Sequence, residues 1–95
     1  QVPFHPVTGE VVGNGMKEQA VQTLANMKAV LEAAGLAVTD IAKTTVFVTN
    51  MDDFAAFNEV YAAFMGEHRP ARVCVEVSNI AHGCLLEMDA ICFKE

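Results

Sequence analysis

Residues 71–78 alternate strictly between two kinds of side chain, and this alternation constrains the fold more than any other feature of the sequence. The apolar positions are Val73, Val75 and Val77, and the ionisable positions are Arg72, Cys74 and Glu76. Successive side chains of a β-strand point to opposite faces of the sheet. The segment therefore predicts a strand with one apolar face, which we expect to meet the protein core, and one face that carries ionisable groups.

Two further segments predict strands that complete a small mixed sheet. Residues 40–49 are dense in β-branched side chains, and residues 85–93 alternate in the same way as residues 71–78. Only a short connector separates residues 71–78 from residues 85–93, so we predict that these two segments pair as an antiparallel hairpin. In that pairing Arg72 and Glu87 share the sheet face that points away from the core.

Two segments have the spacing of helices. From Lys17 to Ala34, apolar residues recur at intervals of four and three, and Gly35 ends the pattern. Residues 50–66 begin with capping candidates and carry a stripe of aromatic residues, which we interpret as core: Phe54, Phe57, Tyr61 and Phe64. The order helix, strand, helix, strand, strand predicts an α+β fold with two helices on one face of the sheet.

The length and the first residues indicate how the chain is organised. The chain has 95 residues, which corresponds to a single domain spanning residues 1–95. Residues 1–15 are rich in proline, glycine and turn signals, so we expect an extended arm there. Because 53% of a short chain is hydrophobic, self-association is favoured.

Charge and hydropathy exclude some classes of partner. Twelve acidic residues stand against six basic ones, and only Arg69 and Arg72 are arginines. A nucleic-acid partner requires a basic patch, so none is predicted. No apolar run approaches the roughly 18 residues of a membrane span, so we expect no membrane partner and a cytoplasmic location.

The ionisable residues of the predicted hairpin suggest a small anion site. The guanidinium of Arg72 offers a planar fork of donors suited to a carboxylate, and Glu87 would orient water or move a proton. A cross-strand ion pair on a solvated face explains the same two residues. Cys74 is either a thiol activated by Arg72 or a small packing residue. His82 and Cys84 lack a second close pair of ligands, so no metal site is predicted.

Four segments, in order, resemble the Rid/YjgF family. They are Gln1-Val2-Pro3 with Thr8-Gly9-Glu10-Val11, Asp40 to Val48 followed by Asp53 to Asn58, Pro70 to Val77, and Leu86 to Ile91. The resemblance implies a chorismate-mutase-like fold assembled as a homotrimer, with an active site in each cleft between subunits. It also implies that the family's N-terminal strands, which contribute a tyrosine and a Ser-Gly segment to the pocket, are missing before Gln1.

The resemblance further implies roles for three residues and a reaction. Arg72 would bind the substrate carboxylate, Cys74 would line the pocket, and Glu87 would orient the attacking water. The implied reaction is hydrolysis of 2-iminobutanoate, 2-iminopropanoate or their enamine forms to a 2-keto acid and ammonia, without a cofactor. One alternative is a non-catalytic protein that binds small carboxylates. Another is a ribonuclease or translation inhibitor, and the acidic composition argues against this second alternative.

Overall fold

Strand β1 (Ile41–Val48) forms the centre of a three-stranded sheet in this computed structural model, which describes residues 1–94. Strand β2 (Ala71–Glu76) runs parallel to β1 along one edge, and strand β3 (Leu86–Cys92) runs antiparallel along the other. The sheet is therefore mixed, with the order β2-β1-β3. This arrangement confirms the prediction of a small mixed sheet.

Two helices pack on the sheet, which confirms the α+β prediction. Helix α1 (Met16–Ala33) and helix α2 (Phe54–Met65) lie close to the predicted positions. A short 3₁₀ turn precedes α2, where the Asn50 side chain accepts a hydrogen bond from the backbone N–H of Asp52 at 2.9 Å. Neither helix of residues 1–94 is both long and apolar enough to cross a membrane.

The predicted hairpin of residues 71–78 with residues 85–93 is wrong, because β1 lies between these two segments. Helix α2 connects β1 to β2, and such a crossover returns the chain parallel to the strand it left. The connection from β2 to β3 then passes the end of β1. There the N–H of Val77 donates to the carbonyl of Val48 at 2.8 Å, and the N–H of Thr49 donates to the carbonyl of Leu85 at 3.1 Å.

The predicted orientation of β2 is also wrong. Residues paired across neighbouring strands share a sheet face, and Arg72 pairs with the buried Thr44 while Cys74 pairs with the buried Val46. Arg72 and Cys74 therefore face the helices. Val73 and Val75 lie on the opposite face and are 44% and 38% exposed. The long side chain of Arg72 takes the place next to α2 because it contacts aromatic rings there.

The segment before α1 folds back on itself, so the expectation of an extended arm in residues 1–15 is wrong. Phe4 forms an antiparallel bridge with Val11, and the N–H of His5 donates to the carbonyl of Glu10 at 2.8 Å. The turn signals between these residues reverse the chain. The side chain of Asn26 on α1 donates to the carbonyls of Val2 and Phe4, at 2.9 and 2.8 Å, and fixes the loop to the helix.

A buried hydrogen bond joins the sheet to α2. The hydroxyl groups of Thr44 and Tyr61 lie 2.9 Å apart in the core. We expect Tyr61→Phe to lower the free energy of unfolding by roughly 1–2 kcal/mol, because the Thr44 hydroxyl loses its partner. Urea denaturation at fixed protein concentration measures this change. The double variant Thr44→Val/Tyr61→Phe should be about as stable as the single variant, and a further loss as large as the first would contradict the assignment.

Candidate functional site

The guanidinium of Arg72 is held by three residues of α2. Its Nη1 donates a hydrogen bond to Oδ1 of Asn58 at 2.6 Å. Its central carbon lies 5.1 Å from the ring centroid of Phe54 and 4.8 Å from that of Tyr61, which are cation–π distances. These contacts orient the side chain, and within residues 1–94 the other N–H groups of the guanidinium form no hydrogen bond and are available to an anion.

A cavity of about 450 Å³ opens beside Arg72, between α2 and the start of β2. This volume lies within the range of about 300–1,000 Å³ that is typical of small-molecule sites. Arg72, Asn58 and Tyr61 form one part of the lining, and Arg69 forms another. Both arginines of the chain therefore line a single cavity.

Cys74 follows Arg72 on the same face of β2, and its side chain packs against the hydrophobic core. Burial raises the pKa of the Cys74 thiol, and the positive charge of Arg72 offsets this only in part. A thiol with a raised pKa stays protonated at neutral pH, and the protonated form is a poor nucleophile. The structure thus favours the packing interpretation of Cys74.

Alkylation of Cys74 should be slow near pH 7 and should increase through the alkaline range. Its folded-state pKa is raised, so the thiolate fraction grows at higher pH than in the unfolded chain. Iodoacetamide labelling at several pH values, read by peptide mass spectrometry, gives the rate. The urea-unfolded protein serves as the reference. Labelling of the folded protein at lower pH than the unfolded reference would contradict this assignment.

Glu87 does not share a face with Arg72, so that expectation is wrong. Glu87 pairs with Phe47 on β1, whereas Arg72 pairs with Thr44, and positions 44 and 47 point to opposite faces. Strand β1 also separates β2 from β3. The cross-strand ion pair between Arg72 and Glu87 is therefore excluded within one chain, as is a site that uses both.

Glu87 lines a cavity of its own on the other face of the sheet. This cavity has a volume of about 240 Å³ and is lined by Phe47, Val77 and residues 79–81 as well. Its walls come from β1 and from the connection between β2 and β3. The two ionisable residues of the predicted site thus lie in separate cavities of one chain.

Three contacts of Arg72 were not predicted from the sequence. Phe54 and Tyr61 belong to the aromatic stripe that was interpreted as core, and Asn58 ends a segment that resembles the family but had no predicted role of its own. The three residues stand at intervals of four and three along α2, which places them on one helical face. A polar Asn58 between two aromatic residues on one face is the sequence signal that indicates this role.

His82 and Cys84, the pair weighed above as metal ligands, have other contacts in the structure. The ring of His82 packs edge-to-face against Phe4, with centroids 5.4 Å apart. Cys84 is buried, and burial raises the pKa of its thiol. Within residues 1–94, no three His, Cys, Asp or Glu side chains are grouped as metal ligands.

Comparisons with known proteins find similarity over nearly the whole chain. The family model described as endoribonuclease L-PSP matches residues 1–94. A RutC family protein of Pyrococcus horikoshii is 50% identical over 95 residues, covering 100% of this chain and 75% of the relative. The 2-iminobutanoate/2-iminopropanoate deaminase of Escherichia coli K12 is 48% identical over 97 residues, covering 99% of this chain and 75% of the enzyme.

Solved structures match the fold with high similarity. The crystal structure of E. coli TdcF with bound serine has a TM-score of 0.93 and 44% identity, and the match covers 100% of this chain and 76% of TdcF. The YjgF gene product of E. coli has a TM-score of 0.92 and 47% identity, with the same coverage. At these identities the similarity concerns both the fold and the sequence.

Proposed function

Because the chain belongs to the endoribonuclease L-PSP family, which is the Rid/YjgF family that its motifs resemble, we propose that it hydrolyses 2-imino acids to 2-keto acids and ammonia. The substrates are small anions such as 2-iminobutanoate and 2-iminopropanoate. The name of the 48% identical E. coli relative supports this substrate class.

The observation that carries this proposal is the fixed guanidinium of Arg72 at a cavity. Asn58 and the rings of Phe54 and Tyr61 hold it in one orientation. A planar fork of donors binds a carboxylate through two parallel hydrogen bonds. Binding the carboxylate places the neighbouring C2 atom, which is the electrophilic carbon of an imine, at a defined position.

Glu87 reaches this substrate only if it comes from a second copy of the chain. The exposed sheet face carries Val73, Val75 and Ile91, which are 44%, 38% and 62% exposed. Apolar residues grouped on a surface mark an interaction site. We therefore propose that copies associate through this open face as a homotrimer, with the chorismate-mutase-like arrangement, and that each cleft combines Arg72 of one copy with Glu87 of its neighbour.

The chemistry follows from these two groups. The carboxylate of Glu87 accepts a proton from a water molecule, whose oxygen forms a bond to C2 of the imine. The π bond between C2 and nitrogen breaks, and the nitrogen takes up the proton that Glu87 accepted, so the tetrahedral adduct carries a hydroxyl and an amino group on C2. Protonation of the amino nitrogen and loss of the hydroxyl proton break the C2–N bond, giving ammonia and the 2-keto acid. One water is consumed, and the reaction requires no cofactor.

A coupled assay tests the proposed function. A threonine dehydratase releases 2-iminobutanoate, which hydrolyses slowly by itself, and 2-ketobutanoate formation is followed with and without the protein. We expect the protein to accelerate this formation. Stabilisation of the protein by 2-ketobutanoate without acceleration would instead support a non-catalytic carboxylate-binding protein.

A ribonuclease is the second candidate, because the matching family model is described as an endoribonuclease. The net charge of -6 opposes binding to a phosphate backbone. Cleavage of RNA by protein freed of contaminating nucleases, at a rate that changes with substitutions at Arg72, would favour this candidate over the deaminase.

Asn58→Ala should lower kcat/KM for 2-iminobutanoate by about tenfold. The change removes the acceptor that holds Nη1 of Arg72, and one hydrogen bond to a charged group corresponds to about this factor. The effect should fall mainly on KM, because Arg72 remains present but less ordered. Glu59→Ala on the same helix is the control, since the Glu59 side chain is 69% exposed and forms an ion pair with Lys17 at 3.0 Å. An equal loss in both variants would contradict the positioning role.

A further inference from the structure

We propose that the cavity accepts dicarboxylic 2-imino acids, with Arg72 binding the carboxylate next to the imine carbon and Arg69 binding the distal carboxylate. This proposal rests on the proposed function and names a substrate class for the same site. The observation behind it is that a second arginine, Arg69, lines the cavity, and this observation does not depend on the motif around Arg72.

The backbone near Arg69 holds its side chain at the cavity. Nη1 of Arg69 donates to the carbonyl of Gly66 and, at 3.0 Å, to that of His68. Nε2 of His68 is in turn 2.7 Å from the carbonyl of Ile41 at the start of β1. The contacts found for Arg69 within residues 1–94 thus use only Nη1, so the donors on Nε and Nη2 are available for a second carboxylate.

Charge favours a doubly anionic ligand at this place. The chain has a net charge of -6, yet both of its arginines line one cavity. Among the described residues, the lining includes no carboxylate that would neutralise them. Two guanidinium groups attract a dianion more strongly than a monoanion, and each forms charge-assisted hydrogen bonds.

The rest of the lining matches the middle of such a substrate. Ala62, Met65 and Pro70 contribute apolar surface to the same cavity. A 2-imino acid with a second carboxylate carries one or two methylene groups between its charged ends. An apolar wall accommodates these methylene groups, and the two arginines accommodate the ends. A monocarboxylic imine would leave the Nε and Nη2 donors of Arg69 without a carboxylate.

The experiment compares imines with one and with two carboxylates. Amino-acid oxidases generate the imines of alanine and 2-aminobutanoate, or of aspartate and glutamate, and the release of 2-keto acid is followed for each. We expect a higher kcat/KM for the dicarboxylic imines. Arg69→Ala should lower the ratio of dicarboxylic to monocarboxylic kcat/KM at least about tenfold, and Arg69→Lys should lower it less. Lys28→Ala, which removes a charge from the exposed side of α1, is the control.

Binding measurements separate the failure of this proposal from the failure of the deaminase proposal. Calorimetry with 2-ketoglutarate and 2-ketobutanoate requires no turnover. Tighter binding of 2-ketoglutarate that depends on Arg69 supports the dicarboxylate site even if no imine is hydrolysed. Equal affinity for the two keto acids, or an equal loss for both imine classes in Arg69→Ala, would overturn it.

Discussion

Arg72→Ala is expected to lower kcat/KM for 2-iminobutanoate hydrolysis at least about a hundredfold. The guanidinium supplies two charge-assisted hydrogen bonds to the substrate carboxylate in the proposed complex. Each such bond contributes about 1.5–3 kcal/mol, and a tenfold change in rate corresponds to about 1.4 kcal/mol. The coupled dehydratase assay measures the change.

Arg72→Lys is the matched variant for this prediction. Lysine keeps the positive charge but lacks the planar fork and stacks less well on the rings of Phe54 and Tyr61. Its activity should fall between those of the native protein and Arg72→Ala. Thermal unfolding at fixed protein concentration controls for stability. Full activity in Arg72→Ala would remove the basis of the proposed function.

Mixing two inactive variants should restore activity. In the proposed trimer each site takes Arg72 from one copy and Glu87 from the next, because the two residues occupy opposite faces within one chain. Arg72→Ala and Glu87→Gln should each be nearly inactive. After equal amounts are unfolded together and refolded, a site is intact when the first copy retains Arg72 and the second retains Glu87. Random assembly gives about one quarter intact sites.

Two controls define this experiment. Each variant refolded alone should stay inactive, and the double variant Arg72→Ala/Glu87→Gln mixed with either single variant should also stay inactive. Size-exclusion chromatography with light scattering reports the assembly state of every mixture. A mixture of trimers without activity would show that Glu87 does not complete the site of a neighbouring copy.

Local sequence patterns predicted the elements well, because each depends on near neighbours in the chain. The 4-3 spacing that begins at Lys17 located α1 to within one residue at each end. The alternation of residues 71–78 located β2. Pairing depends instead on how connections cross the sheet. The crossover through α2 placed β1 between β2 and β3. Glu87 lies on the predicted face, away from the core, whereas Arg72 lies on the opposite face, towards the helices.

The contacts of the site residues also depend on packing that local sequence patterns do not predict. The motif around Arg72 identified the arginine, but its contacts with Phe54, Asn58 and Tyr61 arise only when α2 packs over the face of β2 that carries Arg72. An aromatic stripe at helical spacing fits a core and a cation-binding surface equally well. Burial alone does not distinguish the two uses, since Tyr61 is buried like Phe57 and still contacts Arg72, whereas Phe54 is only partly covered.

The central position of β1 has a consequence for the order of folding. Its two neighbours come from later parts of the chain, β2 after one helix and β3 after β2 as well. Loop-closure entropy makes the nearer partner the easier one to capture. We therefore expect β1, α2 and β2 to associate first during synthesis on the ribosome. Until β3 emerges, one edge of β1 remains unpaired, and the nascent chain is most open to chaperones and to aggregation in that interval.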